Sequence, residues 1–295
     1  MKLGLGTVQF GLDYGVSNTE GKTALVEVVA ILKHAAISGI RIIDTASLYG
    51  SSEAVLGQIF SSMGCPFDVI TKTPYFGTAC LTAADVMRLE QVFHQSLSNL
   101  QIPSVYGLLF HHADDLLADG ASLLVDRVCE FKRQGLIKKW GFSAYTGQQV
   151  DGVLNRFNPD LVQVPINVFD QRIVSGGQLR RLKQARVEVH SRSVFLQGLL
   201  LMEQASLNPY FAPYREMLES FSREAKASGF TNLQASLKYV VDIKEIDHVI
   251  VGVCSNRELK QIIGVLQEVP AGSLCYKRFS SHDERLLNPA IWKLR

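Results

Sequence analysis

Residues 41–72 read RIIDTASLYGSSEAVLGQIFSSMGCPFDVITK, and this stretch contains the unit from which the fold can be predicted. A short apolar run over residues 41–44 is followed by helical spacing over residues 51–61 and by a second apolar run over residues 68–72. Short apolar runs are typical of buried strands, and a helix-length segment between two of them is typical of a parallel crossover. The stretch therefore predicts a strand–helix–strand unit.

The same alternation continues along the chain. Further apolar runs predict strands at residues 2–6, 105–111, 138–143, 160–164, 187–192 and 248–252, which makes eight with the two above. Segments with helical spacing lie between them, at residues 23–38, 83–99, 116–134, 177–184, 214–227 and 256–267. Eight alternating repeats favour closure, whereas an open sheet more often stops at about five to seven strands. We expect an α/β fold, a (β/α)8 TIM barrel, built as one domain over residues 1–295, since no Pro-, Gly- or Ser-rich linker interrupts the series.

Composition and charge restrict the kinds of partner. Apolar residues make up 47% of the 295 residues and charged residues 20%, which allows a large buried core. The net charge is +2, so the chain lacks the basic surface that a nucleic acid or an anionic membrane would need. No run reaches the roughly 18 consecutive apolar residues of a membrane span. A partner held mainly by bulk charge is therefore not expected.

The cysteine pattern bears on the cellular compartment. Five cysteines, odd in number and without a CxxC pair, lie at positions 65, 80, 129, 254 and 275. This pattern fits reduced thiols better than a disulfide framework. The first residues, MKLGLG, lack the long apolar segment of a secretory signal. We expect a cytoplasmic protein, and the sequence leaves its oligomeric state open.

Polar residues end three successive predicted strands. Asp44 ends the second strand, Lys72 the third and His111 the fourth. Tyr49 follows Asp44 by five residues. Barrel enzymes carry their active sites at the carboxyl ends of the strands, so these groups are expected to converge on one mouth and to transfer protons. A phenol with a pKa near 10 is a poor acid at neutral pH, and we expect the ammonium of Lys72 to lower that pKa.

Two adjacent histidines, His111 and His112, are candidates for the end of the fourth strand. Alternate residues of a strand face the same side, so His111 shares its face with Gly107 and Leu109. His112 shares the other face with Phe110. The small Gly107 suits the crowded interior of a barrel, which favours His111 as the site residue. His112 is expected to lie in the loop or to support the site.

Taken together, these residues resemble the aldo-keto reductase family, and the resemblance extends over nearly the whole chain. Residues 43–53, IDTASLYGSSE, are similar to the most specific signature of that family. The other matches, in the expected order, are residues 4–7, 69–72, 108–111, 141–143, 163, 196–198 and 251–252. The resemblance implies an oxidoreductase that transfers hydride between NADP(H) or NAD(H) and a small carbonyl compound or alcohol. It implies Tyr49 as general acid and a catalytic set of Asp44, Tyr49, Lys72 and His111.

The resemblance also implies a dinucleotide site, although the chain has no convincing GxGxxG fingerprint. Ser143 and Gln163 are implied to bind the carboxamide of the nicotinamide, and Arg192 to stack on its ring. The backbone after Arg192 resembles a loop along the pyrophosphate, and residues 252–255 open a helix whose N–H groups are expected to accept phosphate. The implied cofactor residues, with no metal ligand, are Gly6, Thr7, Asp44, Ser143, Gln163, Arg192, Ser193, Phe195, Gln197, Gly198, Gly252, Cys254, Glu258 and Gln261.

Three residues depart from the family pattern. Ala144 stands where relatives usually have an Asn beside the serine that binds the carboxamide. Cys254 and Ile262 stand where relatives that prefer the 2′-phosphorylated cofactor commonly have a basic residue and an Asn, and Arg257 is a candidate to compensate. A charge-assisted bond to phosphate contributes about 1–3 kcal/mol. We therefore expect weaker discrimination against NAD than in NADP-dependent relatives, with the preference itself left open.

Two other functions stay open. A cofactor-sensing regulatory protein on the same barrel would keep the dinucleotide site and turn over little. A metal-dependent hydrolase would use His111, His112, Asp114 and Asp115, but adjacent residues of a strand point to opposite faces.

The identity of the substrate also stays open. The residues that either line its pocket or pack the loops are Phe10, Tyr14, Tyr75, Phe76, Phe169 and the segment 199–213.

Overall fold

The computed structural model describes residues 2–267 and 274–294. Eight parallel strands form a closed barrel in which each strand pairs with the next and β8 pairs with β1. The strands are β1 (Leu3–Gly6), β2 (Ile42–Asp44), β3 (Asp68–Lys72), β4 (Val105–Phe110), β5 (Ile137–Ser143), β6 (Leu161–Pro165), β7 (Glu188–Arg192) and β8 (His248–Gly252). Each end lies within one residue of its predicted position, so the predicted (β/α)8 barrel is confirmed.

Helices connect the strands. They are α1 (Leu25–Ile37), α2 (Ser52–Met63), α3 (Ala83–Leu100), α4 (Ala121–Arg133), α5 (Gly147–Leu154), α6 (Arg172–Ser175), α7 (Gln178–Gln184), α8 (Arg215–Ala227), α9 (Asn232–Val241), α10 (Asn256–Gln267) and α11 (Glu284–Leu287). Seven of them correspond to predicted segments, and α10 has the predicted bounds. Among the residues that the structure describes, no helix combines the length and the apolar character needed to cross a bilayer.

The helix predicted over residues 116–134 begins later than expected. Leu116 belongs to a short 3-10 helix, Ala113–Leu116, and the α-helix begins at Ala121. Gly120 adopts a left-handed φ of 76°, which interrupts a continuous helix. A Cβ at this glycine would also lie 2.4 Å from the carbonyl oxygen of Leu81, so the turn requires glycine.

The helices α5 and α9 lie outside the predicted segments, although each begins with a capping box. The hydroxyl of Thr146 accepts the N–H of Gln149, and the Gln149 side chain accepts the N–H of Thr146. Thr231 and Gln234 form the same pair at the start of α9. The spacing Thr-x-x-Gln is a recognisable start signal, and it was present in the sequence. The short α6 and α11 were not predicted either.

The inside of the barrel is filled by its own apolar cluster. The cluster consists of Ile42, Ile70, Leu109, Leu161 and Ile250. Gly107 faces the same interior, because a Cβ there would lie 3.1 Å from Cγ1 of Ile70 and 3.2 Å from Cδ2 of Leu161. This contact confirms the inward face predicted for Gly107 and Leu109. Side chains thus fill the barrel below its mouth, and only the rim can bind a ligand.

A second apolar cluster supports the loop after β7. Phe169, Phe211, Phe221 and Phe279 are buried in it. Phe169 is therefore a packing residue. The predicted loop over residues 199–213 contains short 3-10 helices, namely Leu196–Leu201, Gln204–Ser206 and Pro209–Tyr214. The loop is thus a folded layer attached to the barrel.

The strand register brings the predicted site residues to one level of the rim. Gly6 pairs with Asp44 on one side and with Gly252 on the other. Ser143 pairs with Gln163. Because all strands are parallel, their carboxyl ends meet at the same edge of the barrel.

Two glycines inside helices test the packing around the barrel. A Cβ at Gly57 in α2 would lie 2.0 Å from the carbonyl oxygen of Asn99 in α3, which is rigid backbone. Gly264 in α10 has no atom within 4 Å of the equivalent position. We expect Gly57→Ala to lower the free energy of unfolding by about 1–3 kcal/mol. Gly264→Ala should raise it by about 0.5–1 kcal/mol. Urea unfolding measures both, and equal effects would contradict the close packing of α2 on α3.

Candidate active site

A buried ion pair joins the ends of β2 and β3. Asp44 is the last residue of β2 and Lys72 the last residue of β3, and both side chains are almost fully buried. Nζ of Lys72 donates to both carboxylate oxygens of Asp44 at 2.8 Å. It also donates to the carbonyl oxygen of Thr45 at 2.9 Å. These acceptors fix the position of the ammonium.

Tyr49 reaches the ion pair from the loop between β2 and α2. Its hydroxyl oxygen lies 3.3 Å from Nζ of Lys72, which donates to it. Gly11 allows this loop to approach, since a Cβ at Gly11 would lie 1.8 Å from the carbonyl oxygen of Tyr49. The ring of His111 meets the ring of Tyr49 edge-on, with centroids 5.9 Å apart. The structure thus brings together Asp44, Tyr49, Lys72 and His111.

Burial sets the protonation states of these groups. Burial, with the charge of Asp44 as a second cause, raises the pKa of Tyr49. The net lowering of this pKa that we expected is wrong, because burial and the charge of Asp44 outweigh the attraction of the neighbouring Lys72 ammonium for the phenolate. Burial and the charge of Lys72 lower the pKa of His111 to about 2, so its imidazole is neutral. Burial lowers the pKa of Lys72, and the charge of Asp44 opposes this shift.

Asp44 also accepts a hydrogen bond from β6. Nε2 of Gln163 donates to Oδ1 of Asp44 at 2.7 Å. Within residues 2–267 and 274–294, neither the amide oxygen of Gln163 nor the hydroxyl of Ser143 forms a side-chain hydrogen bond. Since the two residues are neighbours across β5 and β6, these groups form a pair that can bind a planar amide.

One cavity of about 780 Å³ contains the ion pair and extends across the barrel mouth. This volume is in the ordinary range for small-molecule and cofactor sites. Every residue predicted to act in catalysis or to contact the dinucleotide lines this cavity. Its lining includes both Tyr49 and Gln261 of α10, together with residues from seven of the eight strand ends or the loops that follow them.

The loop after β7 borders the cavity with an unusual backbone. Ser193, Leu196 and Gln197 have positive φ angles of 59°, 47° and 54°. Residues other than glycine rarely adopt this conformation, and such strain is concentrated at functional sites. The loop therefore has the backbone expected of a ligand-contacting segment.

The segment 14–17 meets this loop at the edge of the cavity. The N–H of Val16 donates to the carbonyl oxygen of Gln197 at 3.1 Å. Nε2 of Gln197 donates to the hydroxyl of Tyr14 at 2.9 Å. A Cβ at Gly198 would lie 1.9 Å from Oγ of Ser17, so this close approach requires glycine. The two segments, 14–17 and 193–198, together form a bridge at the cavity.

Protein carboxylates occupy the start of α10. The N–H of Cys254 donates to Oε2 of Glu258 at 2.7 Å. The N–H of Asn256 donates to the carboxylate of Glu27. Because these two N–H groups are paired with side-chain carboxylates, a phosphate bound at this helix start would have to displace those carboxylates. Burial and the charges of Glu258 and Glu20 raise the pKa of Cys254 to about 11, which keeps its thiol protonated.

Tyr145 forms part of the cavity wall and was not predicted. The guanidinium carbon of Arg192 lies 4.3 Å from the centroid of the Tyr145 ring. The guanidinium also donates to the carbonyl oxygen of Ala144 at 3.4 Å and to Oγ of Ser193 at 3.2 Å. In the sequence, only the position of Tyr145 two residues beyond Ser143 indicates that it forms part of the cavity wall. Gln9, whose side chain also lines the cavity, was missed as well.

The aromatic candidates for the substrate pocket separate into two groups. Tyr14 lines the cavity. Phe10 is completely buried in the core, as is Phe169. Tyr75 packs against the ring of His112 at a centroid distance of 4.2 Å, and Phe76 packs against the apolar cluster that the outer faces of the strands form with the surrounding helices. His112 thus supports the mouth from the side, in agreement with its predicted place.

The acidic residues considered for a metal-dependent hydrolase hold the loops around β4. Asp115 accepts the N–H of Gly77 at 3.1 Å. Asp114 accepts Nε2 of Gln149 at 2.8 Å, which ties the loop to α5. His111 points instead towards Tyr49. These contacts give the acidic residues structural partners away from the ion pair.

A polar cluster closes the amino-terminal end of the barrel, opposite the mouth. Among the described residues, one group has ligand atoms near enough to share a metal ion. The ligand atoms of Glu188, His190 and His248 all lie within 4.8 Å of one another. The Glu188 carboxylate already accepts the hydroxyl of Tyr106 at 2.7 Å and pairs with Lys139. It also bonds Nε2 of His190 at 2.6 Å. Glu188 is thus engaged on both oxygens, and the cluster links four strands.

Comparisons with known proteins were consistent with this geometry. A model of the Aldo/keto reductase family matches residues 2–283. The L-galactose dehydrogenase of Arabidopsis thaliana is 28% identical over 267 residues, which cover 84% of this chain and 81% of the plant protein. The holo form of an aldo-keto reductase from Bacillus halodurans superposes with a TM-score of 0.74 at 18% identity, covering 91% and 87% of the two chains. A Pseudomonas aeruginosa protein of the same kind gives 0.65 at 22% identity, with 90% and 88% covered. The solved structures share the fold, and the family match and the dehydrogenase support an oxidoreductase role.

The neutral state of His111 predicts a pH dependence of stability. An unfolded histidine has a pKa of about 6.5, whereas burial lowers the pKa of His111 to about 2 in the folded protein. The unfolded state therefore binds the extra proton, and the folded state loses stability as the pH falls below 6.5. Between pH 7 and pH 5 we expect the wild-type protein to lose about 2 kcal/mol more unfolding free energy than His111→Gln. Urea unfolding at both pH values measures the difference, and an equal loss would contradict a neutral buried imidazole.

Proposed function

The chain belongs to the aldo/keto reductase family, and on this basis we propose that it transfers hydride between NAD(P)(H) and the carbon of a small aldehyde, ketone or alcohol. The observation that carries the proposal is the Tyr49 hydroxyl 3.3 Å from Nζ of Lys72, inside the cavity at the barrel mouth. A phenol beside a fixed ammonium can exchange a proton with a substrate oxygen.

The polar groups of the cavity fit a nicotinamide cofactor. The hydroxyl of Ser143 and the amide oxygen of Gln163 would bind its carboxamide. Oε1 of Gln9 is buried without a partner among the described residues, and Gln9 lines the same cavity. The loop 193–198 and the residues from Gly252 to Gln261 would hold the rest of the dinucleotide. When bound, the cofactor supplies or accepts hydride at C4 of its ring.

Tyr49 is the proposed general acid for carbonyl reduction. Its raised pKa keeps the proton on the phenol at neutral pH, until negative charge develops on the substrate oxygen. Lys72, 3.3 Å away, then stabilises the phenolate. Asp44 holds Lys72 in place and also fixes the amide of Gln163, so one carboxylate positions both the acid and the proposed carboxamide site.

His111 is proposed to orient the substrate. Its imidazole stays neutral because its pKa is lowered to about 2. A neutral imidazole donates one N–H bond and is not a source of protons at neutral pH. Its edge-on contact with Tyr49 places it beside the reacting oxygen, where it can donate a hydrogen bond.

Replacing the proposed acid tests the function. We expect Tyr49→Phe to reduce turnover about 10²- to 10⁴-fold while binding of the reduced dinucleotide is kept, because only the proton donor is lost. Tyr210→Phe is the control, since its hydroxyl bonds the carbonyl oxygen of Arg285, away from the cavity. Reduced-nicotinamide absorbance with a panel of carbonyl substrates measures turnover.

An unchanged turnover number in Tyr49→Phe would reject the acid assignment. A wild-type protein that binds the dinucleotide tightly and turns over no member of the panel would favour the regulatory alternative.

The charges at the start of α10 bear on the choice between NAD and NADP. Cys254 stands where relatives that prefer NADP commonly have a basic residue, and Glu258 and Glu20 add negative charge beside it, against which Arg257 is the candidate cation in the same cavity lining. We propose that NAD(H) is accepted at least as well as NADP(H), because a 2′-phosphate would be repelled.

A substitution at this position tests the preference. Cys254→Arg should tighten NADPH binding about tenfold and leave NADH binding unchanged, since a charge-assisted bond contributes about 1–3 kcal/mol. Fluorescence titration with NADH and NADPH gives both dissociation constants. A wild-type protein that binds NADPH more tightly than NADH would contradict the proposal.

Organisation and location complete the proposal. We propose that residues 1–295 form one domain, because one barrel accounts for the family match over residues 2–283.

We also propose a cytoplasmic location. Its support is that Cys65, Cys80, Cys129, Cys254 and Cys275 are all free thiols, as in reducing compartments.

A further inference from the structure

Two cationic side chains lie at the end of the cavity near Tyr49, and they differ in whether a carboxylate neutralises their charge. Lys72 is paired with Asp44 at 2.8 Å. Over the described ranges of the chain, Arg192 has no carboxylate oxygen within 4.0 Å of its nitrogens. Its hydrogen bonds go to the neutral oxygens of Ala144 and Ser193. Asp44, Lys72 and Arg192 together therefore carry one net positive charge at this end of the cavity, and that charge lies on Arg192.

The guanidinium of Arg192 lies beside the pair of polar groups proposed to hold the nicotinamide. Arg192 ends β7 and pairs with Pro165 of β6, two residues beyond Gln163. Its side chain crosses the end of β6 to stack on Tyr145, which follows the end of β5 at Ser143. A ring whose carboxamide is bound by Ser143 and Gln163 is therefore a close neighbour of the guanidinium.

The charge of Arg192 acts on the buried groups around it. It favours the deprotonated forms of Tyr49, Lys72 and His111, although for Tyr49 burial outweighs this effect on the pKa. Arg192 itself is half-buried, and the ring of Tyr145 covers one face of the guanidinium. Partial burial weakens screening by water and salt, so the charge acts strongly at short range.

We infer that Arg192 sets the redox preference of this site. Its charge favours the neutral reduced nicotinamide over the cationic oxidised ring. This preference shifts the equilibrium between the two bound cofactor forms towards alcohol oxidation. The inference rests on the proposed function. The adenosine and diphosphate groups are common to both forms, so their contacts cancel in the ratio of dissociation constants, and the unit charge of the ring remains. In the favoured direction the alcohol carbon loses a hydride, with two electrons, to the ring. Tyr49 would release its own phenol proton to water as it takes the hydroxyl proton of the alcohol, which leaves a carbonyl group.

Binding measurements on three variants test this inference. Arg192→Met removes the charge at similar length, and Arg192→Lys keeps it. Arg180→Met removes an exposed arginine of α7 as the matched control. Nicotinamide fluorescence gives the dissociation constant of NADH, and displacement of NADH gives that of NAD⁺. The wild-type protein should bind NADH about tenfold or more tightly than NAD⁺, since each tenfold corresponds to only 1.4 kcal/mol.

The variants separate charge from shape. Arg192→Met should reduce the preference about tenfold, mainly through tighter binding of NAD⁺, whereas Arg192→Lys and Arg180→Met should keep it. An unchanged preference in Arg192→Met, or an equal loss in Arg192→Lys, would overturn the inference and leave the proposed function intact. A wild-type protein that binds neither dinucleotide would overturn both. Thermal unfolding of each variant verifies that it is folded before titration.

Discussion

The buried contact between Lys72 and Asp44 is the interaction on which the rest of the site depends. Taking two charges out of water costs several kcal/mol per ion, so a buried pair persists only when additional hydrogen bonds satisfy it. The carbonyl oxygen of Thr45 and the amide of Gln163 supply such bonds. Tyr49 then approaches the ammonium from the outside. One ion pair thus connects β2, β3, β6 and the loop before α2, and it determines where a proton can be transferred.

The two ends of the barrel have different tasks. The apolar cluster inside the barrel separates the mouth from the polar cluster around Glu188. That cluster joins β4, β5, β7 and β8 through Tyr106, Lys139, Glu188, His190 and the neighbouring His248. Polar groups at the amino-terminal end of such barrels belong to stability, whereas those at the carboxyl end can carry chemistry. Hydrogen bonds and ion pairs can therefore compensate the buried polar groups at the amino-terminal end without changing the site at the barrel mouth.

Short apolar runs between helical segments predicted the strands, and the convergence of Asp44, Lys72 and His111 followed because the carboxyl ends of parallel barrel strands meet at one mouth. Alternation of side chains along a strand decided only between His111 and His112. It did not predict the direction of the Tyr49 pKa shift, since burial is a property of the packed structure. Tyr145 was missed because it follows its strand, where no periodicity determines its direction. The break at Gly120 was hidden for a related reason: apolar spacing continues through it, and only the backbone angle reveals it.

The bridge between residues 14–17 and 193–198 has a kinetic consequence. It includes two hydrogen bonds, from Val16 and from Gln197, the close approach of Gly198 to Ser17, and the packing of Val16 on the apolar cluster around Leu196. These contacts join two loops and no strand, so they can separate while the barrel stays intact, and a molecule bound beneath them would leave only when they separate. Departure through such a segment commonly limits the rate of an enzymatic cycle. The residence time of such a molecule would therefore depend on how often the two segments part.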